Sequence, residues 1–179
     1  MRVLIFGASS LVLVGILASP ALGQDVVREE VDGIRNFARV GTTIACAGAI
    51  TTSAIPDIEE MGFASIINLR RATEEGANVE AEAAAVAATG MKYFHIPYDG
   101  SADPAVAAQF LDAITSEGAE PAFVHCAGGG RASAMWLVKR IAVDHWDVER
   151  ATQEAIALGG EGNPERRQFA IEYGQANRR

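Results

Sequence analysis

Two cysteines in 179 residues are too few for a disulfide framework, and the three histidines have no spacing that would assemble a metal site. Positive charge is scarce as well. Fifteen Lys and Arg face 23 Asp and Glu, giving a formal net charge of −8 and a pI near 4.9. That balance excludes a broad basic surface for nucleic acid or an anionic membrane. With 6 Pro, 18 Gly, 49% hydrophobic and 21% charged residues, the chain is neither a collagen-like repeat nor a disordered tail. One globular domain fits what remains.

Long apolar runs are missing except at the start, where residues 3–17 follow Met1-Arg2 and lead into Ala18-Ser19-Pro20-Ala21-Leu22-Gly23. The run is short for a span of roughly 20 residues, and small residues stand where a signal peptidase would read. A cleaved secretory leader over 1–23 is therefore expected, with an uncleaved anchor as the alternative. Cleavage after Gly23 leaves 156 of 179 residues, and because Arg2 is the only charge removed, the net charge moves from −8 to −9. The expected location is outside the cytoplasm, secreted or periplasmic, with no membrane attachment once the leader is gone.

Residues 24–38 are polar with scattered apolar positions and read as an arm or a short helix. The domain proper then occupies 39–179. Apolar runs at 40–46, 64–69, 92–96 and 122–124 alternate with helical patterns at 53–61, 78–88 and 103–118. Beyond Arg131 the pattern is helical to the end, with breaks at 144–147 and 159–164. Strands alternating with helices require crossover connections, hence an α/β fold with a mostly parallel sheet of four to five strands flanked by helices. Ligands in such sheets bind beyond the carboxyl ends of the strands, so the loops after Leu69, Ile96 and Val124 are where a site is expected.

The segment Phe123-Val124-His125-Cys126-Ala127-Gly128-Gly129-Gly130-Arg131-Ala132-Ser133 stands out as a strand running through a glycine-rich turn into a helix. Glycines let successive amides point at one centre, and the helix start adds free N–H groups with partial positive charge. This is an anion cradle. Arg131 in the first helical turn opposes the macrodipole by about 0.3–1 kcal/mol unless an anion sits there. Cys126 lies at the cradle's mouth, where helix terminus and guanidinium both favour the nucleophilic thiolate. Taken singly, Cys126 reads as a core residue, the glycines as a tight turn and Arg131 as a surface residue.

His125-Cys126, the glycines and Arg131 resemble the signature of cysteine-based phosphatases. Ile66-Ile67-Asn68-Leu69-Arg70 and His95-Ile96-Pro97-Tyr98-Asp99 precede that loop in the order found in the dual-specificity branch. Over residues 39–158 the chain is similar to the bacterial beta-lactamase hydrolase-like, phosphatase-like group, which is also connected with sulfur transfer. Two departures stand out. Only four residues, Ala127 to Gly130, separate Cys126 from Arg131, where dual-specificity enzymes have five; the shorter loop resembles that of rhodanese sulfurtransferases. Ala132 takes the place directly after Arg131 where Ser or Thr is usual, and Ser133 follows.

The resemblance implies phosphate-monoester hydrolysis with Cys126 as nucleophile, and Arg131 with the amides of Ala127, Gly128, Gly129 and Gly130 as phosphate ligands. It also implies Asp99 as general acid, His125 as an orienting residue, and no cofactor or metal. Asp103, before Pro104, reads more simply as a helix cap. Ser133 and Arg70 are further candidate substrate contacts. Arg70 and Arg71 bind a second anionic group of the substrate on one reading and pair with Glu74 or Glu75 on the other. The implied partner is a phosphorylated small molecule or phosphoprotein. A Cys126 persulfide sulfurtransferase and a non-catalytic anion-binding domain remain alternatives. Cys46 is expected to be buried in its strand, although a bond to Cys126 would block the nucleophile.

Overall fold

A computed structural model describes residues 25–179. The leader expected over 1–23 lies outside the described residues. Six strands form one sheet: β1 (Val26–Arg28), β2 (Ala38–Val40), β3 (Ile44–Ala47), β4 (Ser65–Asn68), β5 (Lys92–His95) and β6 (Ala122–His125). Their spatial order is β1-β2-β3-β6-β4-β5. The β3–β6, β6–β4 and β4–β5 pairs are parallel, whereas β1–β2 and β2–β3 are antiparallel.

The sheet thus has more strands than the apolar runs imply. Residues 40–46 read as one run, yet Gly41 adopts φ +51° and the Thr43 amide donates to the Val40 carbonyl at 2.9 Å, folding the segment into the β2–β3 hairpin. The arm, expected as a coil or a helix, contributes β1, which adds to the edge through Val26, Val27 and Arg28. A three-residue edge strand with one face in water needs no apolar alternation, so its sequence carries little sign of it.

Helices α1 (Ile55–Glu60), α2 (Val79–Thr89), α3 (Pro104–Ile114), α4 (Gly130–Ala142), α5 (Val148–Gly159) and α6 (Pro164–Ala176) cover both faces. Four begin at side-chain caps. The carboxamides or carboxylates of Asn78, Asp103, Asp147 and Asn163 accept amides of the first turns, with Pro at the start of α3 and α6. The breaks expected at 144–147 and 159–164 are therefore the capped starts of α5 and α6.

Strand residues alternate between two cores. Ile44, Cys46, Ile67, Val124 and Cys126 face α3, α4, α5 and α6, while Ala45, Ala47, Ile66 and Phe123 face α1, α2 and the arm. Phe123 is clamped between Phe37, stacked at 6.1 Å, and Phe63, edge-on at 5.7 Å. A fully buried side chain of this size contributes roughly 1.5–3 kcal/mol. Its strand, β6, lies between β3 and β4 and delivers the glycine loop to the carboxyl edge, where Ala47, Asn68 and His125 stand in register. Helix α4 then runs back through the interior, with every residue from Ala132 to Ala142 buried. Fixed strand and fixed helix hold both ends of one short loop.

Candidate active site

The loop between β6 and α4 has its carbonyls tied outward. The Ala127 carbonyl accepts the Ala49 amide at 3.1 Å, the Gly128 carbonyl accepts Asn36 Nδ2 at 3.1 Å, and the Cys126 amide donates to the Ala47 carbonyl at 3.2 Å. With those peptide planes set, the following amides turn inward, and Gly129 N–H donates to Cys126 Sγ at 3.1 Å. Of the three loop glycines only Gly129, at φ +100°, needs the left-handed conformation. A Cβ at Gly128 would enter open space. At the base of the loop, Gly159 of α5 packs so closely on Ser133 that an added Cβ would stand 2.0 Å from its hydroxyl oxygen.

Cys126 is 2% exposed. Burial pushes its thiol pKa up, but the amides of Ala132, Gly128, Arg131 and Gly129 together outweigh that cost and hold it below the usual thiol value. Cys46 shows the same burial without the amides. Its thiol is raised well above the ordinary value, first by desolvation and then by the nearby charges of Cys126 and Glu154. Both cysteines are free thiols. One is poised for nucleophilic chemistry and the other is inert packing.

Arg131 is held by three elements at once. Nη1 and Nη2 each lie 2.7 Å from an oxygen of Glu74, in an end-on bidentate pair, and Nη1 also donates to the carbonyls of Leu69 and Tyr98. The remaining Nε–Nη2 edge is the one left for an oxyanion, and the guanidinium also interacts with the Cys126 sulfur. The Arg131 hydrogen bond drives Glu74 down to about 2, against its own burial and with help from the Arg71 amide. Thiolate, inward amides and a fixed guanidinium therefore converge on one oxyanion position.

The sequence model of the beta-lactamase hydrolase-like protein, phosphatase-like domain, matches residues 36–143, more than half of the chain. The chain belongs to this phosphatase-like family. The beta-lactamase hydrolase-like protein of Agrobacterium fabrum (strain C58) is 34% identical over 106 residues, covering 56% of this chain and 24% of that relative. The chain thus spans about a quarter of the relative's length. Solved structures share the fold. A DUF442 protein of Shewanella putrefaciens CN-32 aligns with a TM-score of 0.67 at 19% identity, over 82% of this chain and 96% of that one. The core catalytic domain of the S. cerevisiae PP-IP phosphatase SIW14, in complex with citrate, gives 0.64 at 18% identity over 80% and 87%. TpbA of P. aeruginosa in complex with pTyr gives 0.59 at 18% identity over 83% and 88%.

Within this phosphatase-like domain an open cleft of about 540 Å³ is lined by Cys126, Ala127, Gly128, Gly130, Arg131 and Asp99, six of the ten residues expected from sequence. Gly129 contributes its amide to the sulfur from behind. Asp99 faces the cleft, and its carboxyl is held in the ionised form. Its Oδ1 accepts the Ser101 amide at 2.8 Å, which holds the carboxyl below its usual range. Asp103 caps α3 through the amides of Ala105 and Val106.

Three expected contacts lie elsewhere. Arg70 is 5% exposed and turns into the following loop, where its guanidinium donates to the carbonyls of Gly76 and Glu75 and stands 3.7 Å from Glu74. It organises the segment that positions Glu74, which is the pairing alternative rather than the substrate-binding one. Arg71 lines the cleft instead. The Ser133 hydroxyl reaches the Gly130 carbonyl at 3.4 Å and packs against Gly159, behind the cradle rather than in it. His125 points through the sheet to the opposite core, with Nε2 2.8 Å from Oε1 of Glu82 on α2. One-residue alternation along β6 forces Cys126 and His125 to opposite faces.

Glu74 and Arg166 are the site residues that sequence reasoning missed. Glu74 was visible only as a partner for Arg70 or Arg71. Arg166 reaches the cleft from α6, its Nε donating to the Gly100 carbonyl at 3.2 Å. No local pattern connects residue 166 with residue 100.

Proposed function

We propose that the chain is an exported cysteine-dependent phosphatase that hydrolyses phosphate monoesters through a cysteinyl-phosphate intermediate. The observation that carries this reading is the Cys126 thiol, lowered inside a ring of amides next to the fixed Arg131 guanidinium. Membership of the phosphatase-like family and the fold shared with phosphatases support it.

The Cys126 thiolate attacks phosphorus in line with the leaving oxygen, forming the S–P bond as the P–O bond to the alcohol breaks. Inward amides and the Nε–Nη2 edge of Arg131 take the three equatorial oxygens, whose charge would otherwise oppose the incoming thiolate. Asp99 protonates the departing oxygen. The negative charge of the bound ester raises its carboxyl, offsetting the Ser101 amide that lowers it. Water, deprotonated by the Asp99 carboxylate, then attacks phosphorus and the S–P bond breaks. Phosphate leaves and the thiolate returns.

Acid quenching during turnover of an aryl phosphate, followed by peptide mass analysis, is expected to find a phosphoryl group on the peptide that carries Cys126. Product formation with that peptide always unmodified rejects the covalent route. The four-residue loop favours one other reading, sulfur transfer, and a persulfide on the same peptide after incubation with thiosulfate would support that instead. Export rests on the leader-like first 23 residues. Protein recovered from the extracytoplasmic fraction of a bacterial host is expected to begin at Gln24; a retained Met1 would refute the leader.

A further inference from the structure

Arg166 differs from the other arginines that line the cleft. Arg131 is neutralised by Glu74 at 2.7 Å, and Arg71 reaches the same carboxylate at 3.7 Å. Among the described residues no carboxylate stands within 4.0 Å of the Arg166 guanidinium, although its side chain is partly buried. Withdrawing a cation from water without a counter-charge is unfavourable, and the position is nevertheless built. Asn163 caps the amide of Arg166 at 2.8 Å with Pro164 at the helix start. The Gly100 carbonyl holds Nε at 3.2 Å, and a Cβ added at Gly130 would lie 3.5 Å from Nη1. The guanidinium therefore bridges the Asp99–Gly100 turn and the first residue of α4, with its fork beside the cradle.

The cleft is also too large for the reacting group alone. Its volume of about 540 Å³ equals the share of about eighteen liquid waters, whereas the reacting group is a single phosphoryl. Besides the residues of the loop, its charged lining is Arg166, Arg71 with a side chain 54% exposed, Glu74 and Asp99. Glu74 is already committed to Arg131 by two short bonds, and the Asp99 carboxylate is engaged by the Ser101 amide. That leaves the Arg166 guanidinium as a cation without a paired carboxylate, with a fork geometry suited to an oxyanion.

The geometry points to a second anion subsite formed by Arg166 and Arg71, so that the preferred substrates are phosphate monoesters bearing a second anionic group close to the ester. This rests on the phosphatase reading. The reacting phosphoryl group sits on the Cys126 loop while the second group docks on the Arg166 fork and turns the leaving oxygen toward Asp99.

Steady-state kinetics with phenyl phosphate, 3-carboxyphenyl phosphate and benzene-1,3-diyl bisphosphate test this. The two dianchored esters are expected to exceed phenyl phosphate in kcat/KM by about tenfold, the worth of one charge-assisted contact. The preference should fall to within about twofold in Arg166→Ala and be partly retained in Arg166→Lys, which keeps the charge without the fork. Arg71→Ala, on the opposite part of the sequence, gives a separate and smaller drop, and covers the case in which an α6 variant fails to fold. A ranking between carboxylate and phosphate tells which second group the subsite takes. Loss of all three esters in step would show that Arg166 serves the reacting phosphoryl group, and an unchanged ratio would show that it serves neither; either result overturns the inference. Calorimetric titration of Cys126→Ser protein with the same compounds reads binding without turnover. No turnover of any ester, together with Arg166-dependent preference in that titration, would reject the phosphatase and keep the subsite.

Discussion

Replacing Cys126 with serine is expected to lower kcat on an aryl phosphate by at least about 10³-fold, with the fold unchanged. The amides of Gly128, Gly129, Arg131 and Ala132 lower a thiol enough to populate the thiolate, but the same donors acting on a serine hydroxyl start from a far higher pKa. Serine nucleophiles depend on a base hydrogen-bonded to the hydroxyl, whereas the side chain at position 126 meets a donor, the Gly129 amide, and Asp99 is engaged by the Ser101 amide. The neighbouring His125 lies on the other face of β6, hydrogen-bonded to Glu82, and cannot take a proton from position 126. The alkoxide therefore never forms. Because serine matches the shape of cysteine, phosphate binding in the cradle should persist while turnover stops. Residual turnover within about tenfold of the parent chain would mean that Cys126 is not the nucleophile, and would leave an anion-binding domain as the better reading.

What could be read from the sequence and what could not divide along physical lines. The cradle was legible because its parts are adjacent in the chain: an apolar strand, three glycines that permit the turn, a thiol and a cation in the first helical turn. Caps were legible for the same reason. Asp103 with Pro104 announces α3, and residues 144–147 and 159–164 break where α5 and α6 begin. The rest depends on contacts across long stretches of chain. Arg131 and Glu74 are 57 residues apart, and Arg166 and Gly100 are 66 apart. Neither spacing has a local signature. Where the sequence did allow two readings, the fold decided between them by direction. Arg70 and Arg71 are neighbours, so consecutive side chains diverge, and Arg70 is spent on the 71–77 loop while Arg71 faces the cleft. His125 and Cys126 diverge likewise. Ser133, a candidate substrate contact from its place two residues after Arg131, packs against Gly159 of α5 instead.

Arg131→Lys is expected to reduce kcat/KM by about 10²–10³-fold, although the charge is kept. The guanidinium does two things that an ammonium cannot do together. One edge pairs end-on with both oxygens of Glu74 and donates to the carbonyls of Leu69 and Tyr98, while the perpendicular edge remains for the oxyanion. A lysine ammonium is a single point, and Glu74 would capture it away from the phosphate. The side effect on stability has a definite sign. Glu74, normally held at about 2 by Arg131, contributes stabilisation that is complete above its unfolded value near 4.5 and lost as pH falls through about 2. Weakening the pair in Arg131→Lys raises that folded value, so the contribution is smaller and its loss in acid is complete at a higher pH than in the parent chain. Glu74→Gln separates the two contributions. It leaves the guanidinium intact but loosens its orientation, and a drop of about tenfold is expected, smaller than that of Arg131→Lys. In the double variant the effects should fall short of their product, because Glu74 acts only through Arg131. Strict multiplication would show that Glu74 contributes to turnover by another route, and an Arg131→Lys loss below about threefold would remove Arg131 from transition-state binding altogether.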